Sequence, residues 1–245
     1  MFFADIESKT RNQSSQHDND PKCTLAIERN KQPLADFHQI YDGNQVYEDL
    51  QFQHGKDALF WADSGEGESY LALNTAPYIS KWGRAKDYFS SRTLFGEEIT
   101  PKKISQGYSN TCYLIAALSA VAEVPGRIEN VFLNEKNELS QNGIYGLNMY
   151  TLGMPHTVLI DDYLPLIRQR RNKRNEKYTT IYANMNKDND SIWGSLIEKA
   201  FSKYAGNYSR ISIGTGHEAI TSLTGAPAIV LQHVSDSVTQ DDVWA

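Results

Sequence analysis

The sequence predicts an α+β fold: a buried central helix, additional helices and a small antiparallel sheet. Three stretches carry that prediction. Residues Cys112 to Glu123, "CYLIAALSAVAE", form an almost unbroken apolar run with Leu114, Ile115, Leu118 and Val121 at helical spacing and Ala or Ser on the other faces. A helix that is apolar nearly all round is a buried one, and Pro125-Gly126 stops it. The second stretch, "NGIYGLNMYTLGMPHTVLIDDYLP", opens on an Asn-Gly turn signal and is divided by Gly-Met-Pro near Met154. It predicts two antiparallel strands, Ile144 to Leu152 and Thr157 to Asp161. In the third, "DSIWGSLIEKAFSKYAG", Ile192 and Trp193, Leu196 and Ile197, Ala200 and Phe201, then Tyr204 fall on one face of a second helix. Asp190 or Ser191 is positioned to cap its start, and Gly206 follows its end.

The remaining elements fall around these three. Residues 1-44 are polar, with "RNQSSQHDNDPK" among them, and read as a flexible N-terminal tail too poor in apolar side chains to offset chain entropy. Residues 45-100 form an aromatic-rich lead-in, irregular segments pinned to a core by Phe52, Phe60, Trp61, Trp82 and Phe89, with "DSGEGES" as a surface loop. Residues 101-230 make up the main body. "YTTIYANM" predicts a third strand around Thr180 to Ala183, and "GHEAITSL" a short helix after Thr215 that stops near Gly225. No internal repeat is present.

Bulk properties narrow the function. A chain of 245 residues suffices for a substantial core. A net charge of −6 argues against a general nucleic-acid binder. The basic run "RQRRNKRNEK", Arg168 to Lys177, has few aromatics interleaved and reads as a solvated loop between strands. Two distant cysteines, Cys23 and Cys112, make neither a disulfide framework nor a C-x-x-C metal site, which fits a reducing compartment. The N-terminus is no secretory signal and no run reaches membrane-spanning length, so the expected location is cytoplasmic.

The chemistry centres on Cys112. A thiol is a strong nucleophile only as its thiolate, and the open N–H groups and aligned dipoles of a helix start favour that anion. Cys112 stands where the central helix begins, behind the polar, turn-rich "QGYSNT". Gln106, six positions upstream, offers an amide that could join the Cys112 backbone N–H in stabilising a tetrahedral oxyanion. The residues alone leave open the commoner fate of a buried structural cysteine.

The stretch Q-G-x-x-x-x-C, followed by Tyr and L-x-A-A-L, resembles the active-site segment of papain-like cysteine proteases and most closely the calpain family. Other stretches resemble calpains in the same order: "GIYGLNMYTLGMPHTVLIDDYLP", "IWGSLIEKAFSKYAGNY", "EAITSLTGAPA", and the lead-in "YEDLQF" and "KWGRAKDYF". The resemblance runs from about Tyr47 to the C-terminus. It implies a papain-like first catalytic lobe, with 231-245 as the beginning of a truncated second lobe, the β-rich one. Cys112 would be the nucleophile and Gln106 would line the oxyanion hole. The family's histidine and asparagine, in G-H-A and N-P-W contexts, have no counterpart among His17, His38, His54, His156, His217 and His233 or elsewhere in the chain. His156 and His217 are expected at the surface or at a helix start. The triad's His and Asn are therefore expected to be missing, and the chain alone is expected not to cleave peptides.

The resemblance also implies calcium. Glu198 matches a ligand of the first-lobe calcium site, but Lys103 falls where that site has an Asp, and a cation among the ligands opposes binding. Thr111 stands where calpains have Asp, Asn110 where they have Gly, Tyr113 where they have Trp, and Ala226 replaces the second Gly of T-G-G. A separate EF-hand reading from Asn186 fails, because position 6 is Ser191 and position 12 is Ile197. The pair Asp161-Asp162 does not suit a glycosidase, since neighbours on a strand face opposite ways; a structural turn is expected. The function implied is an intracellular cysteine endopeptidase acting on protein or peptide substrates. The alternative is a non-catalytic calpain-like module for protein interaction or regulation.

Overall fold

The computed structural model describes residues 33–60, 76–169, 177–183 and 191–230. Among the described residues, after a helical segment at 33–41, the helices in chain order are α1 (Lys56–Leu59), α2 (Ala85–Tyr88), α3 (Cys112–Ala122), α4 (Trp193–Ala205) and α5 (Gly216–Thr224). The strands are β1 (Lys81–Arg84), β2 (Ile144–Thr151), β3 (Met154–Asp161), β4 (Tyr163–Gln169) and β5 (Lys177–Thr180). They form two small antiparallel sheets, a β2–β3 hairpin and a three-stranded sheet in the order β1-β4-β5. The mixture of helices and small antiparallel sheets agrees with the α+β expectation.

The hairpin turns at Leu152-Gly153, not across Gly-Met-Pro, and β3 begins at Met154. Both turn residues have positive φ, 51° and 78°, as a two-residue hairpin turn requires. Pro155 is tolerated within β3 because it lies opposite Tyr150, one step beyond the Thr151–Met154 pair that closes the turn. In a two-residue hairpin that step does not exchange backbone hydrogen bonds. The expected third strand ends at Thr180 and pairs with β4 rather than with the hairpin. Past Thr180 the backbone turns to other partners: Ile181 N still donates to Pro165 O at 3.1 Å, but Ile181 O accepts from Tyr108 N at 2.9 Å, and Ala183 O accepts from Ser195 Oγ at 2.9 Å.

Helices α3 and α4 exchange the characters their sequences predict. α3 buries Leu114, Leu118 and Val121, with α5 packed alongside, yet Cys112, Ala116 and Ala120 are exposed along one side. α4 is buried from Trp193 to Ser202 on every face, including Ser195, Glu198 and Lys199. No side chain caps its start; the N–H groups of Ile192 and Trp193 both donate to Leu94 O, at 3.2 and 3.0 Å. Asp190 lies outside the described residues, and Ser191 bridges to Thr93 instead. Gly206 ends α4, and Gly225, left-handed, ends α5, both as expected.

The expected tail is structured in part. Residues 33–41 are helical, with Phe37 buried beside Leu133 over Gly146. Asn142 Nδ2 donates to the carbonyls of Ile40 (2.6 Å), Tyr41 (3.2 Å) and Gly43 (2.5 Å) at its end. One buried aromatic and one capping amide outweigh the polar composition around them. Residues 1–32, Trp61, "DSGEGES", the body of the basic run and 231–245 lie outside the described residues. Of the other lead-in aromatics, Phe52 and Phe89 are buried, and Phe60 and Trp82 pack partly buried against the core.

Charged groups fasten the lead-in and the hairpin to α4. Lys199 Nζ donates to Asp161 Oδ1, to Asp161 O at 2.9 Å and to Tyr163 O at 2.8 Å. One turn on, Lys203 Nζ meets both Asp49 carboxylate oxygens, at 2.9 and 2.7 Å. Asp49 N in turn donates to Asp161 Oδ2 at 2.9 Å. Asp162 points away from α4 and pairs with Arg84 at 2.7 Å. The two aspartates thus diverge, each to its own cation, and both are structural.

Candidate active site

The candidate site is assembled on the loop between the turn Pro101–Lys103 and α3. Gln106 and Cys112, both exposed, stand at its two ends, and Ser109 and Thr111 between them are fully buried. The loop has a floor. Tyr108 N donates to Ile181 O, and a Cβ on Gly107 would overlap the backbone carbonyl of Tyr182. Glycine follows Gln106 because no side chain fits against that carbonyl. Gln106 Nε2 donates to Ser109 O at 2.6 Å. That bond uses one amide hydrogen and leaves the other available.

Glu198 lies beneath the loop. Its Oε1 accepts from Ser109 Oγ at 2.8 Å and from Thr111 Oγ1 at 2.7 Å. Its Oε2 accepts from Ala183 N. The two hydroxyls are 2.7 Å apart. Burial pushes the Glu198 carboxyl above its ordinary range, and these three donors pull it back down. Thr111 occupies the N-cap position of α3, yet its side chain makes no capping bond. Its ψ of 29° is not the extended backbone from which a cap side chain reaches back. The hydroxyl is spent on Glu198, and the first turn of α3 is left without a side-chain cap.

Tyr113, half-buried, packs on Gly214 in the loop before α5. Burial, with Glu198, Glu218 and Cys112 nearby, pushes its hydroxyl up to about 12, so it stays protonated. His217 is exposed in the first turn of α5 beside Thr215, whose Oγ1 donates to Glu218 Oε2 at 2.7 Å. His156 lies against Tyr204, and His54 stacks on Tyr163 with centroids 4.0 Å apart. His17 and His233 lie outside the described residues.

A calcium ion prefers about six to eight oxygen ligands. Both Glu198 oxygens already accept bonds from protein donors, and among the described residues no group of three or more His, Cys, Asp or Glu could hold a metal. Lys103 sits at the end of the turn Pro101–Lys103. Sequence reasoning singled out Cys112, Gln106 and Glu198 but not Ser109, nor the link from Thr111 to Glu198. Ser109 carries no pattern that marks it. Among the described residues no helix is long and apolar enough to cross a membrane.

The model of the calpain family cysteine proteases matches residues 47–245. Calpain-5 of Mus musculus is 29% identical over 188 residues, covering 74% of this chain and 26% of the relative. A calpain of Schistosoma mansoni is 26% identical over 212 residues, 82% of this chain and 27% of the relative. The calpain-type cysteine protease DEK1 of Arabidopsis thaliana is 26% identical over 189 residues, 75% of this chain and 8% of the relative. The chain thus spans about a quarter or less of the length of these relatives. With Gln106, Cys112 and the I-D-D hairpin all inside the matched region, the chain belongs to the calpain family of cysteine proteases.

Proposed function

We propose that the chain carries the nucleophile half of an intracellular cysteine endopeptidase with a papain-like division into two lobes. The observation that carries the reading is Cys112, exposed at the uncapped start of a helix that is anchored in the core through Leu114, Leu118 and Val121. Cys112 Sγ attacks a peptide carbonyl, forming the C–S bond. The oxyanion is met by the Cys112 backbone N–H and the second Gln106 Nε2 hydrogen. Collapse expels the amine, which takes a proton from a general acid, and water then releases the acyl group. The histidine that would serve as base and acid, and the asparagine that would orient it, have no motif in these 245 residues. On this reading a second lobe would supply them, and the exposed Cys112–Ala116–Ala120 side of α3 is the face such a lobe would cover.

The test is alkylation of the folded chain by iodoacetamide, followed by peptide mass spectrometry. Cys112 is expected to react several-fold faster than Cys23 at neutral pH, with Cys112→Ser as control. Equal rates would overturn the reading. Peptide cleavage by this chain that is lost in Cys112→Ser would instead overturn the assignment of the base to another lobe.

A further inference from the structure

We infer that Glu198 is the positioning residue of the nucleophile loop, and that it acts there in place of any metal ion. The inference deepens the reading of Cys112 as nucleophile and rests on it. Glu198 is one hydrogen-bonded residue away from both candidate catalytic groups. Through Ser109 it reaches Gln106, because the residue whose hydroxyl donates to Glu198 also offers the carbonyl that holds Gln106 Nε2. Through Thr111 it reaches Cys112, the next residue in the chain. Its second oxygen holds Ala183 N and so ties the loop to its own floor, where Tyr108 N meets Ile181 O and Gly107 rests on the Tyr182 carbonyl.

The detail with functional weight is the diversion of Thr111. Thr is a favoured N-cap residue, and an N-cap hydroxyl satisfies one of the open N–H groups of a helix start. Here the hydroxyl points into the protein, 2.7 Å from Glu198 Oε1. The first turn of α3 therefore keeps its N–H groups open at the end where Cys112 is exposed. An oxyanion or a thiolate needs that open end. Capping by Thr111 would improve the helix and impair the site. Glu198 itself is held by the packing of α4, whose neighbours Ile197 and Lys199 are both buried. Tyr113, Tyr182 and Tyr208 also face the carboxyl. A metal at Glu198 would compete with three donors that the fold already supplies.

The inference is tested in the 245-residue chain by the pH profile of Cys112 alkylation and by amide hydrogen exchange of residues 105–112 and of Ala183, in the parent, Glu198→Gln, Glu198→Ala and Ser109→Ala. Gln has the same shape, and Ser109 and Thr111 can accept as well as donate. Glu198→Gln is therefore expected to keep the parent profile within about twofold. Glu198→Ala is expected to slow Cys112 alkylation at neutral pH about threefold to tenfold, the scale of helix-terminus effects, and to displace the profile to higher pH. It is also expected to speed exchange at Tyr108 and Ala183. Should Glu198→Ala not fold, Ser109→Ala is expected to show a smaller displacement in the same direction. A folded Glu198→Ala, or in its stead Ser109→Ala, with the parent profile and parent exchange overturns the inference. So does Glu198→Gln behaving like Glu198→Ala, or calcium at millimolar concentration altering exchange at residues 105–112 in the parent but not in Glu198→Gln. If Cys112 of the parent reacts no faster than Cys23, the nucleophile reading fails, while exchange still decides whether Glu198 anchors the loop.

Discussion

Substituting Lys199 by Met tests whether α4 is held by its buried charges or merely tolerates them. Lys199 and Asp161 expose 1% and 0% of their side chains, and the ammonium serves three acceptors. Burial pulls the ammonium below its ordinary range, and Asp161 is the first group to pull it back. Met fills a similar volume, so the loss is electrostatic. Asp161 keeps two donors, Asp49 N at 2.9 Å and Tyr163 N at 3.0 Å, but loses its cation, and two backbone carbonyls lose their donor. Breaking a buried pair from one side costs about 3–5 kcal/mol. For a chain of this size that lowers Tm by about 6–20 °C. Removing the stranded charge as well, in Lys199→Met with Asp161→Asn, is expected to recover about 0.5–3 kcal/mol relative to additivity. Urea denaturation of the parent, both single variants and the double variant reads the cycle. A cost below about 1 kcal/mol for Lys199→Met, or strictly additive single effects, would show that the pair is not a coupled unit.

Three further outcomes follow from individual positions. Leu152 has φ 51° and is 96% exposed, so Leu152→Asn is expected to raise stability by about 0.5–1 kcal/mol by urea denaturation, with nothing lost in packing; a loss would mean that the side chain has a contact in the folded protein. Gly107→Ala forces a methyl into the Tyr182 carbonyl, and is expected to cost about 1–3 kcal/mol and slow Cys112 alkylation, whereas unchanged alkylation would separate the loop from its floor. Glu198 has a raised carboxyl, so its protonated form favours the folded state: that contribution is complete below the ordinary value of 4.5 and is lost as pH rises through the folded value. Glu198→Gln should therefore flatten the decline in stability on the alkaline side of 4.5, and an identical slope in both proteins would show that Glu198 does not titrate with folding.

Local features of the fold were legible because they rest on neighbours in sequence. The start of α3 at Cys112, the end of α4 at Gly206 and the end of α5 at Gly225 follow from apolar spacing and glycine placement. What the sequence hides is which face of an element meets what. α3 reads as apolar all round, yet Cys112, Ala116 and Ala120 are exposed; α4 reads as amphipathic, yet its polar side is buried. Periodicity records side-chain polarity, while burial depends on partners far away in sequence, such as Asp49 for Lys203 and Ser109 for Glu198. The helix at 33–41 was hidden for the same reason, since Phe37 finds its pocket at Leu133 and Gly146. Cys112 and Gln106 stood out in the sequence as a candidate pair, but the support of their loop did not, because a serine in a polar loop looks like any other.

The polar burial along α4 also explains how the loop can be both irregular and well placed. A helix packed only through apolar side chains has weak directional preference, since dispersion and desolvation depend on area and volume more than on angle. Hydrogen bonds from a buried carboxyl have strict geometry, and leaving any partner unpaired costs about 1–3 kcal/mol. Glu198 and Lys199 are adjacent on one helix yet serve different neighbours: Glu198 holds the loop that bears Cys112, and Lys199 holds the turn between β3 and β4. A shift of α4 large enough to release one would strand the other. The loop that bears Cys112 is thus referenced to the hairpin through a single turn of helix, and Lys199→Met is expected to alter Cys112 reactivity only if it moves α4. Parent-like alkylation in a destabilised but folded Lys199→Met would place the two functions on separate supports; a displaced pH profile would show that they share one.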